Sequence, residues 1–121
     1  MIEADIVTSL GADSTITGLV GSRIYPLFRP QGDPLPALVY QRVSTVPTNS
    51  INGFSRLDAV RIQFSCYAKT LIEAKELAEA LRAAMDADPT LKSVCVMEMD
   101  EQDLETRNFR TVVDFNLWQR Y

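Results

Sequence analysis

Histidine is missing from this sequence altogether. Its absence excludes Ser-His-Asp and Cys-His nucleophilic arrangements and histidine metal sites, and removes the side chain best suited to proton transfer near neutral pH. Cysteine is scarce. Cys66 and Cys95 lie far apart in apolar, strand-like runs and form no C-x-x-C pair, so both are expected as reduced core residues. The five glycines are scattered, and none builds a phosphate-cradling loop. There is no run of Lys or Arg, and the net charge of −4 opposes a surface that neutralises nucleic-acid phosphates. Sequence-specific nucleic-acid binding is therefore not expected. No apolar run approaches the length that crosses a bilayer. The first residues, MIEADIVTSL, carry acids where a secretory leader carries bases. Neither membrane insertion nor export is expected.

What is present is an ordinary globular balance. The 121 residues are 46% hydrophobic and 23% charged, enough for a single domain over 1–121 with its own core and no staple.

The periodicity is clearest from Leu57 to Met85. Val60, Ile62, Phe64, Cys66 and Ala68 alternate with Arg61, Gln63, Ser65 and Tyr67, which places one row on each face of a strand. After Lys69 the period changes. Leu71, Ala74, Leu77, Ala78, Leu81 and Met85 share one face of a helix opposite Glu73, Glu76, Glu79 and Ala83. Thr70, three residues before Glu73, is placed to cap it. Strand and helix are expected to cover each other.

Elsewhere, Ile2, Ile6, Val7 and Leu10 predict a short helix ending at Gly11, and Ser14–Val20 a second helical turn stopped by Gly18 and Gly21. Ile24 and Tyr25 start a short extended piece before Pro26. Pro26–Pro36, with four prolines, is read as an ordered arm. Ala37–Val46 is a first long strand, apolar on both faces. Pro47–Ser55, with Asn52-Gly53, is read as a long projecting loop. Leu91–Met99 and Arg107–Arg120 supply two further strands around an acidic turn, Asp100–Thr106. The expected fold is α+β, ordered α-β-β-α-β-β. It has one mixed or antiparallel sheet of about four strands, with one long and one or two short helices on one face.

No catalytic, metal-binding or cofactor-binding residue emerges. Glu98, Asp100, Glu101, Asp103 and Glu105 lack the glycine that lets a cation loop bend, and are read as a solvated turn. Two features exceed what a monomer needs. The sheet face away from the helix is expected to gather Tyr40, Arg42, Arg61, Gln63, Tyr67, Arg110, Asp114, Asn116 and Trp118, the mixture of Tyr, Trp and Arg found where proteins meet. The competing reading is a solvated polar sheet face. The arm and the loop, with Phe28, Arg29, Thr48, Asn49, Ile51 and Phe54, are candidate partner contacts; the plainer alternative is loop variation without a role.

Taken in order, RIYPLFRPQGDPLPALVYQRVS, the strand LDAVRIQFSCYAKT running into EAKELAEALRAAM, and the closing FRTVVDFNLW resemble the tail-completion proteins of long-tailed, siphovirus-type phages and prophages. That family is related in fold to siphophage tail terminators. The likeness spans nearly the whole chain and rests on the ordered set of motifs. It implies a non-enzymatic virion component without cofactors, made in the host cytoplasm and carried into the tail or neck. Such proteins form a homo-oligomeric ring, commonly a hexamer. The ring caps the tail tube, ends its polymerisation and joins the tail to a head-completion or neck protein. An acidic chain suits a channel that must not grip passing DNA. Two alternatives stay open: a head-side adaptor or stopper, and a small α+β ligand-binding module.

Overall fold

The computed structural model describes residues 2–27, 35–50, 53–89, 91, 93–102 and 107–120, with backbone alone at 2, 46–50, 53–58 and 119–120. Their order is α1 (Ile2–Gly11), α2 (Ser14–Val20), β1 (Ile24–Pro26), β2 (Ala37–Ser50), β3 (Gly53–Ala68), α3 (Leu71–Ala87), β4 (Val94–Gln102) and β5 (Phe109–Arg120). The fold is α+β, with one five-stranded mixed sheet in the order β1-β2-β3-β5-β4. β1 runs parallel to β2, and the other three pairings are antiparallel.

The helices lie on one face of the sheet, as the alternation requires. Val60, Ile62, Phe64 and Cys66 of β3 and Val113, Phe115 and Leu117 of β5 meet Leu77, Ala78, Leu81 and Met85 of α3. Ile6 and Leu10 of α1, and Ile16 and Val20 of α2, close the same core. Phe64 and Phe115 pack edge to face at its centre, with ring centroids 5.6 Å apart. Helix starts are fixed by side chains that accept otherwise unpaired amides. The Thr70 hydroxyl accepts from the Glu73 amide at 3.2 Å, and the Asp13 carboxylate accepts from the amides of Thr15 and Ile16. The Asp13 cap was not anticipated from sequence.

Several expectations are corrected. The extended piece at Ile24–Pro26 is a true strand, because Ile24, Tyr25 and Pro26 pair with Leu38, Val39 and Tyr40; this raises the strand number to five. Gly18 lies within α2, and Gly21, at φ 60°, ends it. Leu71 begins α3 but is exposed, while Ala84 takes the buried place. β4 begins three residues later than expected and runs on through Asp100 and Glu101, which are strand residues and not a turn.

The largest correction concerns Pro47–Ser55. β2 continues through Pro47, Thr48, Asn49 and Ser50, and β3 already begins at Gly53, so only residues 51 and 52 separate the two strands. Thr48 pairs with Leu57, and Asn49 with Phe54, across a register shift. The segment is an extended hairpin and not a loop. Proline is tolerated because, among the described residues, β2 has no strand on its far side beyond Tyr40, and an edge strand needs no donor there. Residues 103–106, which complete the expected acidic turn, and 28–34, most of the expected arm, lie outside the described residues.

Candidate assembly surface

The side of the sheet away from the helices has no covering element among the described residues. Period two assigns its side chains. Arg61, Gln63, Ser65 and Tyr67 of β3 face outwards because Val60, Ile62, Phe64 and Cys66 face the core. The register then places Trp118 beside Ala59, Asn116 beside Arg61, Asp114 beside Gln63, Val112 beside Ser65 and Arg110 beside Tyr67. Seven of the nine residues expected on this face therefore share it: Arg61, Gln63, Tyr67, Arg110, Asp114, Asn116 and Trp118.

Tyr40 and Arg42 do not. They are opposite Phe64 and Ile62, two core residues, so they sit on the helical face. Tyr40 packs against the core, and Arg42 forms an ion pair with Glu3 of α1 and donates to the Thr45 hydroxyl at 3.0 Å. Val39 and Gln41 are the outward residues of β2. The sequence misled because β2 is apolar on both faces: Val39 is 5% exposed although it faces away from the helices.

Of the expected partner contacts, Thr48, Asn49 and Phe54 lie in the β2–β3 hairpin. Phe28, Arg29 and Ile51 fall outside the described residues. β5 ends its pairing with β3 at Arg120 opposite Leu57, so the end of this hairpin arm, where Phe54 and Gly53 pair with Asn49 and Ser50, has no β5 beside it.

The outward face has a polar centre. Arg61 donates to Asp114 Oδ2 from Nε at 3.1 Å and from Nη2 at 2.6 Å. Asp114 is buried, and neither its Oδ1 nor Nε of Arg110 has a hydrogen-bond partner among the described residues. Arg110 pairs with Glu101 and lies 6.0 Å from the Tyr67 ring centroid.

The acidic group divides between the two faces. Glu98 and Asp100 are opposite Val113 and Thr111, on the helical side, where Lys75 Nζ lies 3.4 and 3.2 Å from them. Hydrogen bonding to Asp100 raises the Lys75 pKa above the ordinary lysine value. Glu101 faces outwards. These acids are therefore matched with cations, and no cluster of groups able to hold a metal occurs among the described residues. The hollow between α1, α2 and the end of α3, about 240 Å³, is open and lined by Ser9, Ala12, Asp13, Ala84, Ala87, Asp88 and Pro89. It lacks the enclosed apolar walls of a small-molecule site. Among the described residues no helix is long and apolar enough to cross a membrane.

One face of the sheet is closed by helices and a hairpin arm extends from one end, while on the other face Val39, Ser65, Val112 and Asp114 are buried and Trp118 is exposed. The tail completion protein gp17 family matches residues 4–120, and the chain belongs to that family of structural phage tail proteins. Among solved structures, the chain is similar to one from the virion of a native gene transfer agent particle. The TM-score is 0.71 and the identity 18%, over 96% of this chain and 92% of that one, a likeness of fold. Comparison with curated proteins gave no match.

Proposed function

We infer that this chain, acting as a single tail-completion domain over 1–121, assembles into a ring on the finished tail tube. The ring stops tube growth and offers the surface to which the head-side neck protein joins. The observation that carries the reading is family membership over nearly the whole chain. A hexamer closed by head-to-tail contacts agrees with the family and with the way heterologous interfaces close by rotation. The chain's part is structural: it recognises and positions, and takes no cofactor. It is made in the host cytoplasm and ends in the tail of the particle.

Trp118 is assigned as an apolar anchor, with Arg61, Gln63, Tyr67 and Arg110 as its polar surround. It is 44% exposed, large and at the end of β5. Truncating such an anchor costs about 2 kcal/mol or more per interface. Trp118→Ala is expected to leave the fold intact and abolish ring formation; unchanged ring mass and tail joining would overturn the assignment. Thr48, Asn49 and Phe54 of the arm, with Phe28, Arg29 and Ile51, are assigned to the tail tube or the neck protein. Side of action is tested by co-purification: the chain is expected with tails from a head-defective lysate. Recovery with filled heads alone would instead make it a head-side adaptor.

A further inference from the structure

Apart from Leu71 and Ile72 at the start of α3, the exposed large apolar side chains among the described residues gather towards two opposite margins of the sheet. One margin is β4, where Val94, Val96, Met97 and Met99 are exposed along a strand whose outer edge has no partner among the described residues. Trp118 continues it, one outward position beyond Asn116, the residue opposite Val94. The other margin is β1 with the adjoining part of β2, where Leu27 and Val43 are exposed. Each margin has a register shift whose extra residue is an exposed valine: Val43 between Arg42 and Ser44, and Val96 between Cys95 and Met97.

The margins differ in charge. β4 carries Glu98, Asp100 and Glu101 and no base; Lys75 serves both Glu98 and Asp100, and Arg110 serves Glu101, which leaves a surplus of one acid. The opposite margin carries Arg23 and Arg42 and no acid in either strand; Arg42 is matched by Glu3 of α1, which leaves Arg23 as its surplus base. Arg23 donates to the Pro36 and Leu19 carbonyls and meets no carboxylate among the described residues. Two different patches, opposite in place and in charge bias, fit a contact of one copy with the next better than a patch meeting itself. Two β4 margins face to face would bring one surplus acid against another.

Resting on the ring reading above, we propose that the β4 margin of one copy packs against the β1–β2 margin of the next. The Val96 bulge and its flanking methionines seat beside the Val43 bulge. The contact is made by side chains and not by a continuous backbone ladder. A bulge in each edge and Pro47 in β2 break the regular row of donors and acceptors that a ladder requires.

The test mixes two full-length variants, V43C and V96C, each also carrying Cys95→Ser, under mild oxidation both in solution and on assembled tails. A disulfide-linked species of doubled mass is expected in the mixture, with little in either variant alone. Doubled mass with V96C alone would overturn the proposal in favour of a β4-to-β4 contact. Rings seen on tails by electron microscopy without the mixed disulfide would overturn this pairing while leaving the ring intact. Absence of rings on otherwise normal tails would overturn the ring reading, and this proposal with it.

Discussion

The Arg61 guanidinium on β3 reaches diagonally to Asp114 on β5, donating two hydrogen bonds to the same carboxylate oxygen at 3.1 and 2.6 Å. The residue directly across from Arg61 is Asn116, so the link ties neighbouring rungs of the sheet on the face that has no helix. Asp114 is buried, whereas the Arg61 side chain is 42% exposed. The pair is thus unequal: water can replace the aspartate for Arg61, but little can replace Arg61 for the aspartate.

Arg61→Ala is therefore expected to cost about 1–3 kcal/mol by leaving a buried carboxylate without its donors, towards the lower end because solvent screens the arginine. Asp114→Ala, which removes the buried charge itself, is expected to cost less. Urea unfolding of both variants and of the double variant checks this. Equal losses in the two single variants would mean that burial of Asp114 is immaterial.

The two thiols are expected to differ in reactivity. Cys66 lies in the core between β3 and α3, and burial there pushes its thiol well above the ordinary range, with the Glu98 charge adding to the effect. Cys95, on the edge strand, is partly exposed. A maleimide titration of native protein should label Cys95 first and Cys66 only on unfolding. Comparable rates at both sites would contradict the core position of Cys66.

Lys75 predicts a pH dependence at the alkaline end. Its folded pKa is raised, chiefly by the hydrogen bond to Asp100, so folding favours the protonated amine. The contribution is complete below the unfolded lysine value and is lost as pH rises through the higher folded value. Lys75→Met should flatten the fall in thermal stability at strongly alkaline pH and leave neutral behaviour nearly unchanged. A variant that loses stability most at low pH would contradict this.

The β2–β3 arm separates folding from attachment. Joining Val46 to Ala59, opposite residues in the register, by an Asn-Gly turn removes the arm and keeps the sheet beneath the helices. The melting temperature is expected to change little while tail attachment is lost. Infectious particles at normal yield would remove the arm from the assembly account.

The core and the identity of its faces on β3, α3 and β5 were legible in the sequence because each element has one clean period. Phe64 and Phe115 could be assigned inwards, and Arg61 and Trp118 outwards, from alternation alone. β2 was not legible in the same way: Leu38, Val39, Tyr40 and Val43 give no polar row to mark the outside, so Tyr40 and Arg42 were placed on the wrong face. The arm was hidden by its composition. Pro47, Asn49 and Gly53 have the chemistry of a loop, and Pro47 stands in a strand because β2 beyond Tyr40 has no second neighbour among the described residues. Strand order and the parallel β1 depend on long-range pairing, which local periodicity does not encode.

The central claim is a closed ring of this chain at the head-proximal end of the tail. The most direct measurement is electron microscopy of tails assembled without heads, with the chain located by an added tag. The account predicts one ring per tail, at the end of the tube, and tubes of uncontrolled length when the chain is absent. Tubes of normal length without it, or a tag found only on heads, would contradict the account.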